Sequence, residues 1–480
     1  MASKVIKIKI GIKIKPIQSI MSNQKRSHQT QNDRIWAYTT MTASFALLLI
    51  WVVPNTILLR HVLLAIAFLA SLMVMKTNAE LFIRMKTAIF PLAVLSLLFI
   101  WVGIHYFFFS LNPELELKEI TSLWVRTFLG FVAAIGLGIS LRKYPELMKF
   151  FYFAVFLTPL LNVGSYFYSS YLRGAFLHPG AIVSFLFAKI ETAYFGAIAG
   201  AVAVGNLIRL LATSVQKGNK KYIFLFSAGL ILVMASSILS GTKNGVAIQV
   251  FLYIFLVIFL IGSYVASRQF FNPKNLAIIG LILLTLGFAA NFHKKTSTGW
   301  NSIFADVVVA IDIDQHTQWQ KREGSVTTPL NYLGNPAASN TYYRAAYATA
   351  GIRLISMYPL GYGSINQSFV GIQKIAGIQS DHLGQIHSGW IDFGLAFGIP
   401  GLAIVFLTLL STIYIGFRNH PYSNLVPIVI CITLIPFCLI AETSYKQYFE
   451  SLIFFIALSA SMVVFNVFPA VQDSAATKHV

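Results

Sequence analysis

The sequence predicts an all-α polytopic membrane protein with about twelve transmembrane helices and a large helical periplasmic segment between spans nine and ten. Three observations predict it. Of 480 residues, 56% are hydrophobic and 11% charged, whereas a soluble domain is about half apolar and a quarter charged. Apolar runs approaching the ~20 residues that a spanning helix needs recur from end to end. The loops between them alternate in charge, as they must when basic residues hold one set on the cytoplasmic side. The 40 Phe and 21 Tyr exclude a disordered or collagen-like chain.

Residues 1–34 carry eight Lys/Arg and one Asp and read as a basic cytoplasmic tail. Lys7, Lys9, Lys13 and Lys15 interrupt any apolar core, so no cleavable signal is expected. The tail fixes orientation, or touches anionic headgroups; Met21 would open a shorter one. Region 35–292 holds nine candidate spans, near 36–53, 57–75, 88–109, 120–141, 150–167, 182–212, 222–239, 246–266 and 276–292. Region 395–468 holds three more, near 395–417, 425–441 and 450–468, and 469–480 is a C-terminal tail. With the N-terminus inside, the cytoplasmic loops near 76–87, 142–149, 209–221, 267–275 and 418–424 gather thirteen Lys/Arg against Glu80 and Glu146. Glu114, Glu116 and Glu119 form an acidic outer loop, and Glu442 and Glu450 lie in another. The net charge of +20 then reflects topology, with no nucleic-acid partner. Cys431 and Cys438 share one apolar run and read as packing residues, with no disulfide framework.

The stretch 293–394 stands apart on the outer side. It holds six of the sixteen acids together with Trp300, Trp319, Tyr342, Tyr343, Tyr347, Phe369 and Trp390, a content that argues for a fold. Asn340–Met357 reads as a helix capped by Ser339 or Asn340. Tyr343, Tyr347, Ala350, Leu354 and Met357 share one face of it. Arg344 and Arg353, nine residues apart, fall on opposite faces. A second helix starts near His387 and runs through Trp390, Ile391 and Leu395, with Gly394 and Gly398 spaced for close helix contact.

No P-loop and no HExxH motif is present. His382 and His387 lack an ordered carboxylate partner, and Asp312-Ile313-Asp314 reads as a solvated turn. No metal and no cofactor are therefore expected. What stands out is a set of cations on the outer side: Arg173, Lys243, Arg344 and His387. Each alone is equally a snorkelling anchor; together they suit a polyanionic ligand such as a lipid diphosphate.

The run His387-Ser388-Gly389-Trp390 through Gly394, Gly398 and Gly401 resembles the His-Asn-x-x-Leu…Gly-x-x-Gly signature of the bacterial O-antigen ligase and polymerase superfamily. Arg344 followed by Pro359-Leu360-Gly361-Tyr362-Gly363 resembles that family's Arg…Pro-Leu-x-Gly-x-Gly element. Thr242-Lys243 resembles its Thr/Ser-Arg turn, and the segment around Arg173 and Pro179 resembles its Arg-x-x-Gly…Pro element. Ser388 stands where the family has Asn, Gly394 where it has an apolar residue, and Lys243 where it has Arg.

The resemblance implies a membrane-embedded O-antigen ligase of the bacterial inner membrane with its site facing the periplasm. It would move glycan from undecaprenyl diphosphate to a sugar hydroxyl of the lipid A–core, with inversion and without metal. Its partners would be the undecaprenyl-diphosphate-linked glycan donor, the lipid A–core acceptor and membrane lipids. His387 would be the catalytic general base, a role worth ~10²–10⁴ in rate. Arg344, Lys243 and Arg173 would bind the diphosphate and stabilise the leaving charge. An O-antigen polymerase of the same superfamily is the alternative. A flippase for lipid-linked oligosaccharides, with Lys189 and Glu191 in its path, is a third; the internal repeats expected of many transporters are absent.

Overall fold

The computed structural model describes residues 17–51, 53, 55–84, 88–180, 189–212, 220–266, 273–296, 302–379, 386–419, 422–442 and 446–468. In chain order the helices are α1 (Ile17–Ile50), α2 (Ile57–Thr77), α3 (Ala79–Arg84), α4 (Phe90–Phe108) and α5 (Pro113–Glu119). One π turn, Ile120–Trp124, joins α5 to α6 (Val125–Lys143). Then come α7 (Met148–Arg173), α8 (Lys189–Ala212), α9 (Lys220–Leu239), α10 (Lys243–Ala266) and α11 (Pro273–Thr296). The remainder are α12 (Ile303–Ile311), α13 (Ser339–Met357), α14 (Ser368–Ile375), α15 (Gly389–Asn419), α16 (Leu425–Ile440) and α17 (Lys446–Val464). Among the described residues there is no strand, and one isolated antiparallel bridge joins Leu330 to Pro336.

Nine of the described helices are long and apolar enough to cross a membrane: α2, α4, the continuous α5–α6, α7, α8, α9, α10, α15 and α17. The sequence expectation was twelve. Of the other three runs, Leu276–Asn291 and Leu425–Ile440 form shorter apolar helices, and 36–50 is the second half of α1. The protein is thus an all-helical chain with the architecture of a multi-pass membrane protein.

Local chemistry sets the helix ends. Pro91 and Pro113 sit in first turns, where the missing N–H costs nothing. The Asn112 side chain caps α5 by accepting from the Leu115 N–H at 3.1 Å. Gly174, at φ +66°, ends α7 in the left-handed conformation. Burial orders the bundle from inside out. The apolar windows of α17 and α8 are 94% and 89% buried, that of α2 only 28%, so α8 and α17 are central and α2 peripheral. Small residues let the central helices approach closely. A Cβ on Gly205 would come within 2.7 Å of the Val426 Cα, and one on Gly138 within 2.0 Å of the Ser461 Oγ. Outward, Phe107, Phe108, Phe224 and Leu284 are exposed, a surface suited to hydrocarbon.

A second, smaller core lies over one end of this bundle. Val309, Ile313, Trp319, Tyr342, Tyr343, Tyr347, Leu354, Phe369 and Ile372 pack there with Ile391 and Leu395 of α15. We call this region, 302–379, the cap. Its seam with the bundle is a broken helix. At Gly398 (φ +66°, ψ −169°) α15 leaves helical geometry, two residues before Pro400. The carbonyls freed by the break are bonded from outside. Tyr362 N–H donates to Leu395 at 2.8 Å, Gly363 N–H to Ala396 at 2.7 Å, and the Trp101 indole to Phe397 at 2.9 Å. In return Ile399 N–H donates to the Pro359 carbonyl at 2.8 Å. Gly361 and Gly398 both have positive φ, and a Cβ on Gly398 would lie 2.2 Å from the Pro359 oxygen. Gly398 is therefore a break and a docking point, where even spacing within a continuous helix was expected.

Two further expectations change. Glu116 and Glu119 belong to buried helix, not to an acidic loop. Glu119 accepts from Ser364 Oγ (2.8 Å), Ile365 N–H (2.9 Å) and Asn366 N–H (3.1 Å), and so clasps the cap. Glu116 pairs with His105 at 2.9 Å, both fully buried. In α13 the cap position falls to Ala338, whose side chain has no acceptor, while Ser339 lies inside the helix and its Oγ donates to Glu323 at 2.9 Å. Met357 leaves the buried face and is exposed.

Candidate functional site

A cavity of about 650 Å³ opens between bundle and cap. Lys243, Arg344, His387, Ser388 and Glu442 are among its lining residues, with Ile190, Ala193, Ile303, Val307, Phe437 and Ile440 as apolar walls. Three of the four cations singled out in the sequence therefore share one chamber, and they come from three separate elements.

Lys243 opens α10 directly after the turn that ends α9. Gly241 holds φ +64° there, and a Cβ on it would meet the Gly180 Cα at 2.9 Å. Gly180 N–H donates to the Leu239 carbonyl at 2.9 Å, so the 174–180 loop braces the turn. Thr242 Oγ1 closes it by donating to the Ser237 carbonyl at 3.2 Å.

Arg344 extends from α13 and makes no ion pair or side-chain hydrogen bond among the described residues. Burial lowers its pKa from the ordinary value, opposed by the charges of Glu442 and then Glu323. A guanidinium stays protonated through such a shift. Arg353, on the opposite face, is elsewhere: it grips Asp314 with two hydrogen bonds, at 2.6 and 2.8 Å, on the exposed surface.

His387 sits at φ +63°, an uncommon backbone for a residue with a side chain. Its neighbours fix it there. Asp392 Oδ1 accepts from Ile386 N–H at 3.3 Å, and Gly389 N–H donates to the Ala441 carbonyl at 2.9 Å. The second bond lays residue 442 alongside the ring, and His387 Nδ1 meets Glu442 Oε2 at 2.8 Å. With the carboxylate ionised and the ring neutral, this contact requires the tautomer with its proton on Nδ1, which leaves the Nε2 lone pair available. Glu442 is buried, and its Oε1 has no hydrogen-bond partner among the described residues; the same is true of Ser388 Oγ. Buried polar atoms without partners, beside cations in an apolar-walled chamber, suit a ligand that brings hydroxyls and negative charge.

Glu442 is the residue that sequence reasoning missed. It was counted only as outer-loop charge, and 55 positions separate it from His387. Arg173 differs in the other direction. It ends α7, is exposed, and is not among the cavity-lining residues, although its loop braces the Lys243 turn. Of the remaining candidates, Asp312 Oδ1 accepts from Gln315 N–H at 3.3 Å in a turn, and Asp314 is held by Arg353. Glu191 is buried. His382 and the side chain of Lys189 lie outside the described residues. No known protein-family model matches the chain, and no curated protein matches it either.

Proposed function

We propose that the chain is a membrane-embedded glycosyltransferase, an O-antigen ligase in type. It would take glycan from an undecaprenyl-diphosphate carrier to a sugar hydroxyl of the lipid A–core. The observation that carries this reading is the meeting of Lys243, Arg344 and the His387–Glu442 pair in one apolar-walled cavity. In the topology that goes with it, all twelve apolar runs span the inner membrane, the N-terminus is cytoplasmic, and the cap and cavity face the periplasm.

The chemistry follows from the residues. The acceptor hydroxyl donates its proton to His387 Nε2 as its oxygen attacks the anomeric carbon. The bond from that carbon to the diphosphate oxygen breaks on the opposite side, so the centre inverts. The electron pair leaves with undecaprenyl diphosphate, and the partly buried Arg344, with Lys243, stabilises the gathering charge. Glu442 steadies the imidazolium that forms and keeps Nε2 turned to the acceptor. The glycosyl diphosphate supplies the free energy, and neither metal nor nucleotide is required.

Lipopolysaccharide from a deletion strain tests the reading. Core without attached polymer, with lipid-linked long chains accumulating, is the expected result. A single attached repeat unit would identify the polymerase of the same superfamily. An unchanged ladder would rule out both.

A further inference from the structure

A smaller cavity, of about 230 Å³, lies between α1, α2, α6 and α17 and is lined by Arg60, His61, Arg126 and Glu450 with Leu47, Trp51, Ile57 and Leu64. We propose that it is a second anion site, which takes the phosphate of an anionic lipid headgroup. The inference does not rest on the glycosyl-transfer reading.

Its charge is unbalanced. Two guanidiniums and an imidazole face one carboxylate, Glu450, which is buried. Glu450 Oε1 accepts from Arg126 Nε at 2.6 Å and so orients that side chain, whose two terminal nitrogens donate no hydrogen bond among the described residues. Arg60 Nη1 donates to the Trp51 carbonyl at 2.8 Å, while its Nε is buried and has no hydrogen-bond partner among the described residues. A structural ion pair would use one guanidinium and satisfy it. Here a second guanidinium stands beside the pair with an N–H left over. Tetrahedral phosphate oxygens fit such forked donors.

The position points to a lipid. Glu442 lies four residues before the start of α17 and Glu450 within its first turns, so both cavities are at the same end of the bundle. Ile57 and His61 are exposed at the mouth. Beside them on α2, Leu58, Val62, Ile66 and Leu69 are exposed at spacings of four, four and three residues, a continuous apolar strip. An acyl chain lying on that strip would bring its own phosphate to Arg60 and Arg126. Inorganic phosphate would need no strip.

Arginine footprinting with phenylglyoxal on the full chain tests this. The protein is placed in phosphatidylcholine vesicles, in the same vesicles doped with phosphatidic acid, and in undoped vesicles with inorganic phosphate. Modification is read residue by residue by mass spectrometry, with Arg353 as the internal control. Phosphatidic acid should slow modification of Arg60 and Arg126 about tenfold at about ten times its Kd, and leave Arg353 unchanged. Arg60→Gln should remove the protection of Arg126. Equal protection by inorganic phosphate would keep the anion chemistry but overturn the lipid assignment. No protection, or equal protection of Arg353, would overturn the site. The wild-type arms decide the matter even if Arg60→Gln fails to fold.

Discussion

The bundle and the cap are two solutions to packing in one chain. The bundle core is built of Ala, Val, Leu, Ile and Phe with close helix contacts at Gly136, Gly138 and Gly205, and its outer surface is apolar too. The cap core is small, rich in tyrosine, and tied by directional bonds: Trp319 Nε1 donates to Ile313 at 3.1 Å and Tyr342 Oη to His316 at 2.9 Å. The first depends on shape and tolerates exchange of like for like. The second depends on particular donors and acceptors, each costly to remove once buried. The candidate site lies at their meeting. A cavity with both apolar walls and unpartnered polar atoms is what such a seam can provide and what neither region supplies alone.

The largest expected effect leaves both regions intact. Arg344→Ala and His387→Ala should abolish glycan transfer in vivo, by ~10²–10⁴ for loss of the base, with unchanged membrane abundance and thermal unfolding. Glu442→Gln should fall between His387→Ala and wild type, because the amide still offers an acceptor to Nδ1 but no charge. Normal transfer in His387→Ala would remove the base from the mechanism.

Next come substitutions that separate cap from bundle. Gly398→Ala adds a Cβ against the Pro359 carbonyl at positive φ and should cost about 1–3 kcal/mol in backbone strain alone. Glu119→Ala strands three donors, worth about 1–3 kcal/mol for each that stays buried. In both variants limited proteolysis should cut within 302–379 while α8 and α17 stay protected. Uniform loss of protection would mean that the two regions unfold as one.

Within the bundle the expected effects are smaller. Leu434→Met, a volume-conserving change at a fully buried position, should cost less than about 1.5 kcal/mol. Smallest is the exposed Arg353–Asp314 pair. The hydrogen bond from Arg353 holds the Asp314 carboxyl below its ordinary value. Its contribution is therefore present above the unfolded carboxyl pKa and fades as pH falls through the folded one. Exposure of both side chains keeps it slight, so Arg353→Ala should leave transfer near wild type, in contrast to Arg344→Ala.

The bundle was largely legible in the sequence because hydropathy and length report a helix directly. The break at Gly398 was not, because Gly394, Gly398 and Gly401 fit close helix contact equally well until the Pro359–Gly363 strip is seen against them. The phase of Arg344 against Arg353 was readable from helical geometry alone. The pairing of His387 with Glu442, and of Glu119 with residues 364–366, was not. Both join elements far apart in the chain, and a carboxylate counted as loop charge carries no sign that it will be buried. Arg173 was placed by its resemblance to a motif. The structure puts its loop against the Lys243 turn, but not its side chain in the cavity.

The most direct test of the central claim is reconstitution. Purified protein in vesicles, an undecaprenyl-diphosphate-linked glycan and lipid A–core are combined in excess EDTA without nucleotide, and the acceptor is followed by gel shift and mass spectrometry. The account predicts glycan joined to the core with inverted anomeric configuration and release of undecaprenyl diphosphate, lost in Arg344→Ala and retained in Arg353→Ala. Transfer that requires added Mg²⁺, or proceeds undiminished in Arg344→Ala, would contradict it.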